Sequence, residues 1–432
     1  MTIAADARLL RLEDAQARVL DGVRPLPSEL AELEDAAGRV LAAPVASRET
    51  LPPFENSAMD GFAVRSEDVR GATLKRPVAL RVTGESAAGH VASIALEPRS
   101  AIRITTGAML PAGADAVVPV EDTDAAPGAS RLPGTVDVMA PAAPGAHVRH
   151  AGEDVRAGAS ILARGRLVGP AATALLAATG IGRVAVHRRP RLAVLSTGDE
   201  LLPVEAPLRP GTIHDSNSPA LVAQARASGA VARSYGIVPD DPEVLRDRLA
   251  EAVAGSDVVV LSGGVSVGAH DHVRDAFAAL GEVAVWRVAI QPGKPFAFGR
   301  ARARQADGEE RTVALFGLPG NPVSAFVTFE LFVRPVLRIM AGRDDALGRR
   351  RRVGVLAEPV SKAPGRRAFL RVRIEPLPDG RERVLVRPAG GQASHMISSL
   401  AAADGLAIVP EDVPELPAGA EVEVWELQDE GA

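Results

Sequence analysis

The stretch VVVLSGGVSVG, residues 258–268, joins four consecutive apolar residues to a loop in which three of seven residues are glycine. A short apolar run without alternation, bounded by glycine, predicts a strand buried on both faces, as in the middle of a parallel sheet. Working outward, the same pattern recurs. Predicted strands over Leu192–Leu195, Arg233–Val238, Val258–Leu261, Ala284–Ile290 and Val313–Phe316 alternate with predicted helices over Pro219–Ser228, Pro242–Ala254, His272–Leu280 and Pro322–Met340. Three of those helices open on a proline, which a first helical turn tolerates. Residues from about 190 to 341 are therefore expected to form a doubly wound α/β domain, a parallel sheet with helices on both faces.

The flanks read differently. Leu9, Leu12, Ala15, Val19 and Leu20 recur at helical spacing until Pro25 and Pro27 end the pattern, which predicts one amphipathic helix. Between about 40 and 165, short β runs such as Val78–Val82, Ala101–Ile104 and Ala116–Val120 are punctuated by glycine and proline, and Ala125–Gly134 reads as a surface loop. A helix-like stretch, Pro170–Thr179, precedes the α/β region. Past Gly342, short strands return at Val353–Leu356, Phe369–Ile374, Val384–Val386, Ala407–Val409 and Val422–Trp425, predicting a small terminal β domain. Its charge is polarised: residues 343–387 carry 13 basic against 6 acidic residues, and 388–432 carry 9 acids and no Lys or Arg. The basic run Arg349–Arg352 reads as a solvated linker.

Composition narrows the function. The 432 residues contain no cysteine, which excludes disulfides, iron–sulfur clusters, thiolate zinc sites and cysteine nucleophiles. A bound metal must rest on oxygen or imidazole. A net charge of −5 and only 10 Phe, 2 Trp and 1 Tyr argue against nucleic acid as a partner. The longest apolar runs, 174–178 and 276–280, are five residues each, far short of the roughly 20 that cross a bilayer. The charged start, with Asp6, Arg8, Arg11, Glu13 and Asp14, is unlike a secretory signal, so the expected compartment is the cytoplasm.

In an open α/β sheet, ligands bind beyond the carboxyl ends of the strands. Three such ends carry unusual loops: Ser196-Thr197-Gly198-Asp199-Glu200, Ser262 to Gly268, and Gly317-Leu318-Pro319-Gly320-Asn321-Pro322. Glycines let backbone amides close around phosphate. One such loop could be a tight turn alone; three on one edge favour an anionic ligand. Candidate contacts are Ser196, Gly198, Asp215, Ser262, Gly263, Gly264, Ser266, Gly268, Pro319, Gly320 and Asn321, with Gly293 in the next loop. Acids gather at the same edge, at Asp199, Glu200, Asp215, Asp240, Asp241 and Asp271, as a magnesium ion beside phosphate requires. For Asp240 and Asp241, just before Pro242, helix capping is an equal alternative. His270, Asp271 and His272 are too close in sequence to aim at one transition metal. Gln291-Pro292-Gly293-Lys294-Pro295 offers a cation, Lys294, to an oxyanion. Pro52 to Ala63 is too polar for core and too structured in composition for a linker.

Taken together, PPFENSAMDGFAV (52–64), RITTGAMLPAGADAVVPVED (103–122), STGDEL (196–201), SGGVSVG (262–268), QPGKPFAFG (291–299), GLPGNPVSAF (317–326) and SHMISSLAAADGL (394–406) resemble the molybdopterin molybdenumtransferase family. That family comprises the MoeA proteins and the gephyrin E domain, and the likeness covers nearly the whole chain in family order. It implies an N-terminal region over 1–180 with an inserted β-rich domain at about 55–150, a molybdopterin-binding α/β domain over 185–341 and a C-terminal β-barrel over 350–430. It also implies Mg²⁺-dependent insertion of molybdate into adenylylated molybdopterin with release of AMP. The implied assembly is a homodimer with the active site between subunits, served by a molybdopterin adenylyltransferase and by molybdoenzyme apoproteins.

By motif, Asp60 and Thr106 would complete the site from the partner subunit. Asp154, Glu200, Asp240 and Asp271 would serve magnesium and the attacking water, and Gln291, Lys294, Pro295, Ser324, Arg371 and Ser394 would form the molybdate pocket. Many members carry lysine where this chain has Arg287 and Gln291. Arginine keeps the charge, whereas glutamine removes a cation beside a dianion. The alternatives are a non-catalytic or scaffolding paralogue, adenylylation of molybdopterin, and tungstate insertion. The N- and C-terminal motifs argue against adenylylation, and the intact acids and glycine loops against a pure scaffold.

Overall fold

A computed structural model describes residues 9–90, 95–128, 130–264, 272–304, 310–345, 348–377 and 382–427. The chain divides into two compact units: Leu30–Ala37 with Ala43–Ala185, and Met1–Glu29 with Gly38–Ala42 and Val186–Ala432.

The smaller unit is built on a five-stranded sheet of β1 (Gly61–Val64), β2 (Val78–Ser86), β3 (Ser100–Ile104), β4 (Ala116–Pro119) and β5 (Thr135–Val138), in the order β4-β1-β3-β2-β5. Side chains alternate across a strand, so Phe62 and Val64 join Leu80, Val118 and Val136 on one face, while Ala63 joins Ile102, Ile104 and Val117 on the other. Both faces are covered, which is why β1 is buried throughout. The short ladder of Asn56–Ser57 with Val148–Arg149 fixes the polar segment that leads into β1. The helix expected over Pro170–Thr179 is present as Pro170–Ala178.

In the larger unit the α/β elements run β6 (Arg191–Thr197), α1 (Asn217–Ala227), β7 (Val231–Val238), α2 (Pro242–Gly255), β8 (Val258–Ser262), α3 (His272–Leu280), β9 (Gly281–Arg287), β10 (Ile290–Gln291), β11 (Pro295–Arg304), β12 (Glu310–Leu318) and α4 (Pro322–Thr328). The sheet order is β7-β6-β8-β12-β11-β9. Leu192, Val194, Val258 and Val260 point to one core, with Leu221 of α1 and the helix Leu12–Leu20; Ala193, Leu195, Val259 and Leu261 point to the other, with Leu249 of α2 and Phe277 of α3. The double winding expected from the sequence is thus present.

Four expectations need correction. The run Arg349–Arg352, expected as a solvated linker, has Arg349 buried on Glu330 and Arg351 and Arg352 inside a strand. The α/β sheet is mixed rather than wholly parallel, because β11, unrecognised in the sequence, pairs antiparallel with both β12 and β9. Residues 305–309 are too few for the crossover of a dozen or more that parallel pairing needs. The strand expected over Ala284–Ile290 is really two: β9 stays in this sheet and β10 leaves it. The helix expected over Pro322–Met340 is interrupted by a π turn, Phe329–Val333, before Arg334–Met340. There the buried Glu330 accepts from Gln224 Nε2 at 2.9 Å and Arg349 Nη2 at 3.0 Å, ties that lie off the helix itself.

The C-terminal strands β13 (Arg351–Leu356), β14 (Arg367–Pro376), β15 (Arg383–Pro388), β16 (Gly405–Val409) and β17 (Glu421–Glu426) pair as β14-β15-β13-β17-β16, and β16 returns to β14. This closes the ring into a barrel filled by Leu356, Leu370, Val372, Val386, Val409 and Val424. β10 of the α/β domain adds to it, parallel to β14, with Ile290 opposite Arg367 and Gln291 opposite Ala368. A short helix, Ile397–Ala401, was not expected from the sequence. Among the described residues, no helix is long and apolar enough to cross a membrane.

Candidate functional site

The three glycine loops leave three neighbouring strands at one level. Ser196 at the end of β6 pairs with Ser262 at the end of β8, which pairs with Leu318 at the end of β12. Side chains then lace the loops together. Ser196 Oγ donates to Asp215 Oδ1 at 3.1 Å and lies 2.8 Å from Ser218 Oγ. Asp215 Oδ1 also accepts the amides of Asn217 and Ser218, both at 3.0 Å, and so holds the start of α1. Asn217 Nδ2 donates to Ser262 Oγ and to the Gly320 carbonyl, each at 2.7 Å, bridging the second and third loops. The sequence reading missed Asn217; its signal is the Asp-Ser-Asn-Ser-Pro run, residues 215–219, which marks a helix start. Gly263, with φ of +96°, must be glycine because a Cβ there would run into the Thr197 carbonyl oxygen. Gly264 and Gly320 lie beside it, and Asn321 precedes α4.

The acids resolve into distinct roles. Asp241 Oδ1 accepts the amides of Glu243 and Val244 at 2.9 and 3.1 Å and caps α2. Asp240 takes no part in that cap: its Oδ1 accepts from Thr197 Oγ1 at 2.7 Å, and its amide donates to Asp199 Oδ1 at 3.1 Å. Glu200 folds its carboxylate back over Gly198, whose missing side chain leaves room for it. Asp271, Ser266 and Gly268 lie outside the described residues. Among the described residues, no group of three or more acids or histidines forms a closed cage for a cation. Glu200 and Asp240 are hard oxygen donors of the type magnesium takes, one or two at a time alongside waters and phosphate oxygens.

The residues expected to hold the oxyanion lie where α4, the Gln291–Pro295 loop and the barrel meet. Gly293, at φ of +108°, packs on α4 against Thr328 and Ser324. The Val323 amide donates to the Ser394 carbonyl at 3.1 Å. Arg371, on β14, is 1% exposed. Its Nε donates to Ser399 Oγ at 3.1 Å, and its Nη2 donates to the carbonyls of Gly391 at 2.8 Å and Ala393 at 3.2 Å. All of these acceptors are neutral, so no acid offsets the guanidinium charge, and burial pulls its pKa below the usual arginine range. Gln291 Oε1 is buried without a hydrogen-bond partner. Lys294 is exposed at the loop's tip and Pro295 begins β11.

In the smaller unit, Asp60 Oδ1 accepts the Thr106 amide at 2.6 Å and the Thr106 hydroxyl at 2.9 Å. The amide bond first, then the hydroxyl, hold its carboxyl below the usual range. The two residues joined only by motif are thus joined in space. Asp154 is exposed, its amide donating to the Leu51 carbonyl at 3.1 Å. A cleft of about 410 Å³ opens beside Asp60, lined also by Phe62, Glu85, Arg103 and Arg131.

Three family descriptions match the chain in order: the MoeA N-terminal region (domain I and II) over residues 10–180, a probable molybdopterin binding domain over 193–339, and the MoeA C-terminal region (domain IV) over 353–427. Molybdopterin molybdenumtransferase 2 of Mycobacterium tuberculosis is 40% identical over 420 residues, covering 95% of this chain and 97% of that protein. The Haemophilus influenzae molybdopterin molybdenumtransferase is 33% identical, covering 96% and 98%. The crystal structure of a molybdopterin biosynthesis MoeA protein from Pyrococcus horikosii superimposes with a TM-score of 0.78 at 35% identity, covering 98% of this chain and all of that one. With relatives this similar along nearly its whole length, the chain belongs to the MoeA family of molybdopterin molybdenumtransferases.

Proposed function

We propose that the protein inserts molybdenum from molybdate into adenylylated molybdopterin, with Mg²⁺, and releases AMP. The observation that carries this reading is the set of three glycine loops at the ends of neighbouring strands, the second and third bridged by Asn217, with Asp240 held by Thr197 at the end of β6. The loops offer backbone amides to a pyrophosphate. Asp215 and Asn217 keep them in register, so the phosphates are met by groups already in place. When bound, magnesium would neutralise phosphate charge and lower the pKa of a coordinated water. Glu200 and Asp240 are the residues that would hold it. Water adds at phosphorus and the P–O–P bond breaks, leaving AMP and molybdopterin, each with one of the two phosphates. The two thiols then give their protons to a molybdate oxygen, which leaves as water as the sulfurs take the metal. Arg371, Lys294 and Ser394 hold the tetrahedral dianion for that exchange. Asp60, kept ionised by Thr106, acts in the same reaction within a homodimer.

The test is AMP release from purified adenylylated molybdopterin with Mg²⁺, with and without molybdate, together with reconstitution of a molybdenum-free acceptor enzyme. Molybdate-dependent release with reconstitution is expected. Tight binding without turnover would reject the reading in favour of a binding paralogue. Faster turnover with tungstate would reassign the oxyanion.

A further inference from the structure

We infer that Thr197 is a positioning residue for this reaction, acting through Asp240. The inference rests on the reading of Asp240 as a magnesium-side carboxylate. Thr197 ends β6 and is 5% exposed. Its carbonyl oxygen lies against Gly263, close enough that only glycine fits there. Its methyl lies against Gly264: a Cβ at that glycine would come within 3.0 Å of Thr197 Cγ2 and 2.7 Å of Val273 Cγ2. Its hydroxyl donates to Asp240 Oδ1 at 2.7 Å. Two segments distant in sequence, the Gly263–Gly264 loop and Asp240, therefore meet at one small residue.

The threonine is needed for two properties at once. Its methyl and hydroxyl share χ1, a stiff torsion in a β-branched residue. The backbone of the second glycine loop seats the methyl, and this aims the hydroxyl. The hydroxyl then holds Oδ1 of Asp240, while the Asp199 carboxylate holds the Asp240 amide at 3.1 Å. Oδ2 of Asp240 has no partner among the described residues and is the oxygen left for a cation. A carboxylate fixed in this way does not lose rotamer freedom again when the cation arrives. The seating also makes Asp240 sensitive to the loop that cradles phosphate, since a shift of Gly264 frees the methyl and with it the hydroxyl.

The test compares Thr197→Val, which keeps the shape and loses the donor, with Thr197→Ser, which keeps the donor and loses the methyl seat. Binding of Mg²⁺, and of Mn²⁺ as a spectroscopic probe, is titrated calorimetrically and by electron paramagnetic resonance in the presence of AMP. Loss of a group that orients a metal ligand typically costs 10–100-fold in affinity. Thr197→Val should weaken the metal about tenfold while AMP affinity measured without metal and the melting temperature stay at wild type, and Thr197→Ser should fall between. Asp240→Asn should weaken metal more, and Thr197→Val added to it should do nothing further. Wild-type metal affinity in Thr197→Val alongside a loss in Asp240→Asn would overturn the positioning role alone. Wild-type affinity in Asp240→Asn would remove Asp240 from the proposed function and this inference with it. An equal loss of AMP and metal binding in Thr197→Val would make Thr197 merely structural.

Discussion

Replacing Gly293 by alanine tests whether the Gln291–Pro295 loop must sit where it does. At φ of +108° the backbone is strained for any residue with a Cβ, a cost of about 1–2 kcal/mol. The added Cβ would also stand 2.6 Å from Thr328 Cγ2, whereas ordinary contact begins at 3.4 Å, so loop or threonine must give by about 0.8 Å. The threonine cannot turn cheaply: it is fully buried, and its hydroxyl donates to the carbonyls of Ser324 at 2.7 Å and Ala325 at 3.1 Å. The loop therefore moves, carrying Gln291 and Lys294 away from the proposed oxyanion pocket. Misplacement of a reacting group by about 1 Å can cost 10²-fold. The assay is molybdate-dependent AMP release across a molybdate series, in which Gly293→Ala should raise the half-saturating molybdate 10–100-fold, an estimate on the order of that cost. Thr328→Ser removes the methyl and, combined with Gly293→Ala, should recover most of the loss. Gly229→Ala, also at positive φ but with nothing within 4 Å, should lose stability only. An unchanged molybdate dependence in Gly293→Ala, or no rescue by Thr328→Ser, would refute the reasoning.

Arg371→Lys should also raise the molybdate requirement, because a lysine cannot reproduce the three donor contacts that fix the guanidinium; an unaltered dose response would remove Arg371 from the pocket. Asp257 is buried beneath Arg188, whose Nη1 and Nη2 donate to it at 2.8 and 3.0 Å, with Arg311 Nη1 at 3.0 Å and the Arg191 amide at 2.8 Å. Asp257→Asn should cost about 1–3 kcal/mol in urea unfolding, because charged donors lose their ionised acceptor while Arg188 and Arg191 keep part of their hydration. Burial pushes the Asp257 carboxyl up, but the Arg188 bonds, the Arg191 amide and the arginine charges outweigh it and hold the pKa below the usual range. Its contribution is therefore complete above an unfolded pKa of about 3.9 and fades as pH falls through the lower folded value. Wild type should lose stability across that acid window more steeply than Asp257→Asn, as read by unfolding at stepped pH. Thr106→Val should raise the Asp60 carboxyl pKa in a carbon-13 titration, since one of its two donors is gone while the amide remains.

What the sequence revealed depended on the range of the information. The helix His272–Leu280 and the strands around Leu192, Val258 and Val313 were legible because burial on one or both faces is written into neighbouring residues. β11 was not, because Pro295 and Gly299 look like strand breakers. Yet Gly299 is required there: a Cβ would come within 2.6 Å of the Glu282 carbonyl across the β9 pairing. The candidate acids were legible as a set but not by role. That Asp241 caps α2 while Asp240 turns to Thr197 is settled by a partner 43 residues away. Asn217 escaped notice for the same reason, as its two acceptors lie 45 and 103 residues along the chain. The pairing of Asp60 with Thr106 came from motif resemblance; residue pattern alone left Pro52 to Ala63 as an unexplained loop.

The two residues of β10 belong by sequence to one domain and by hydrogen bonding to the next. The C-terminal barrel is therefore not a detachable module. Cutting the chain after the last α/β helix would strip Ile290 and Gln291 of their ladder and the Val323 amide of its acceptor at Ser394, unravelling the oxyanion side of the neighbouring domain from outside. Inheritance should treat the two as a single heritable piece, and a chimera that swaps barrels between relatives should work only if it carries the segment around residue 290 along with the barrel it came from.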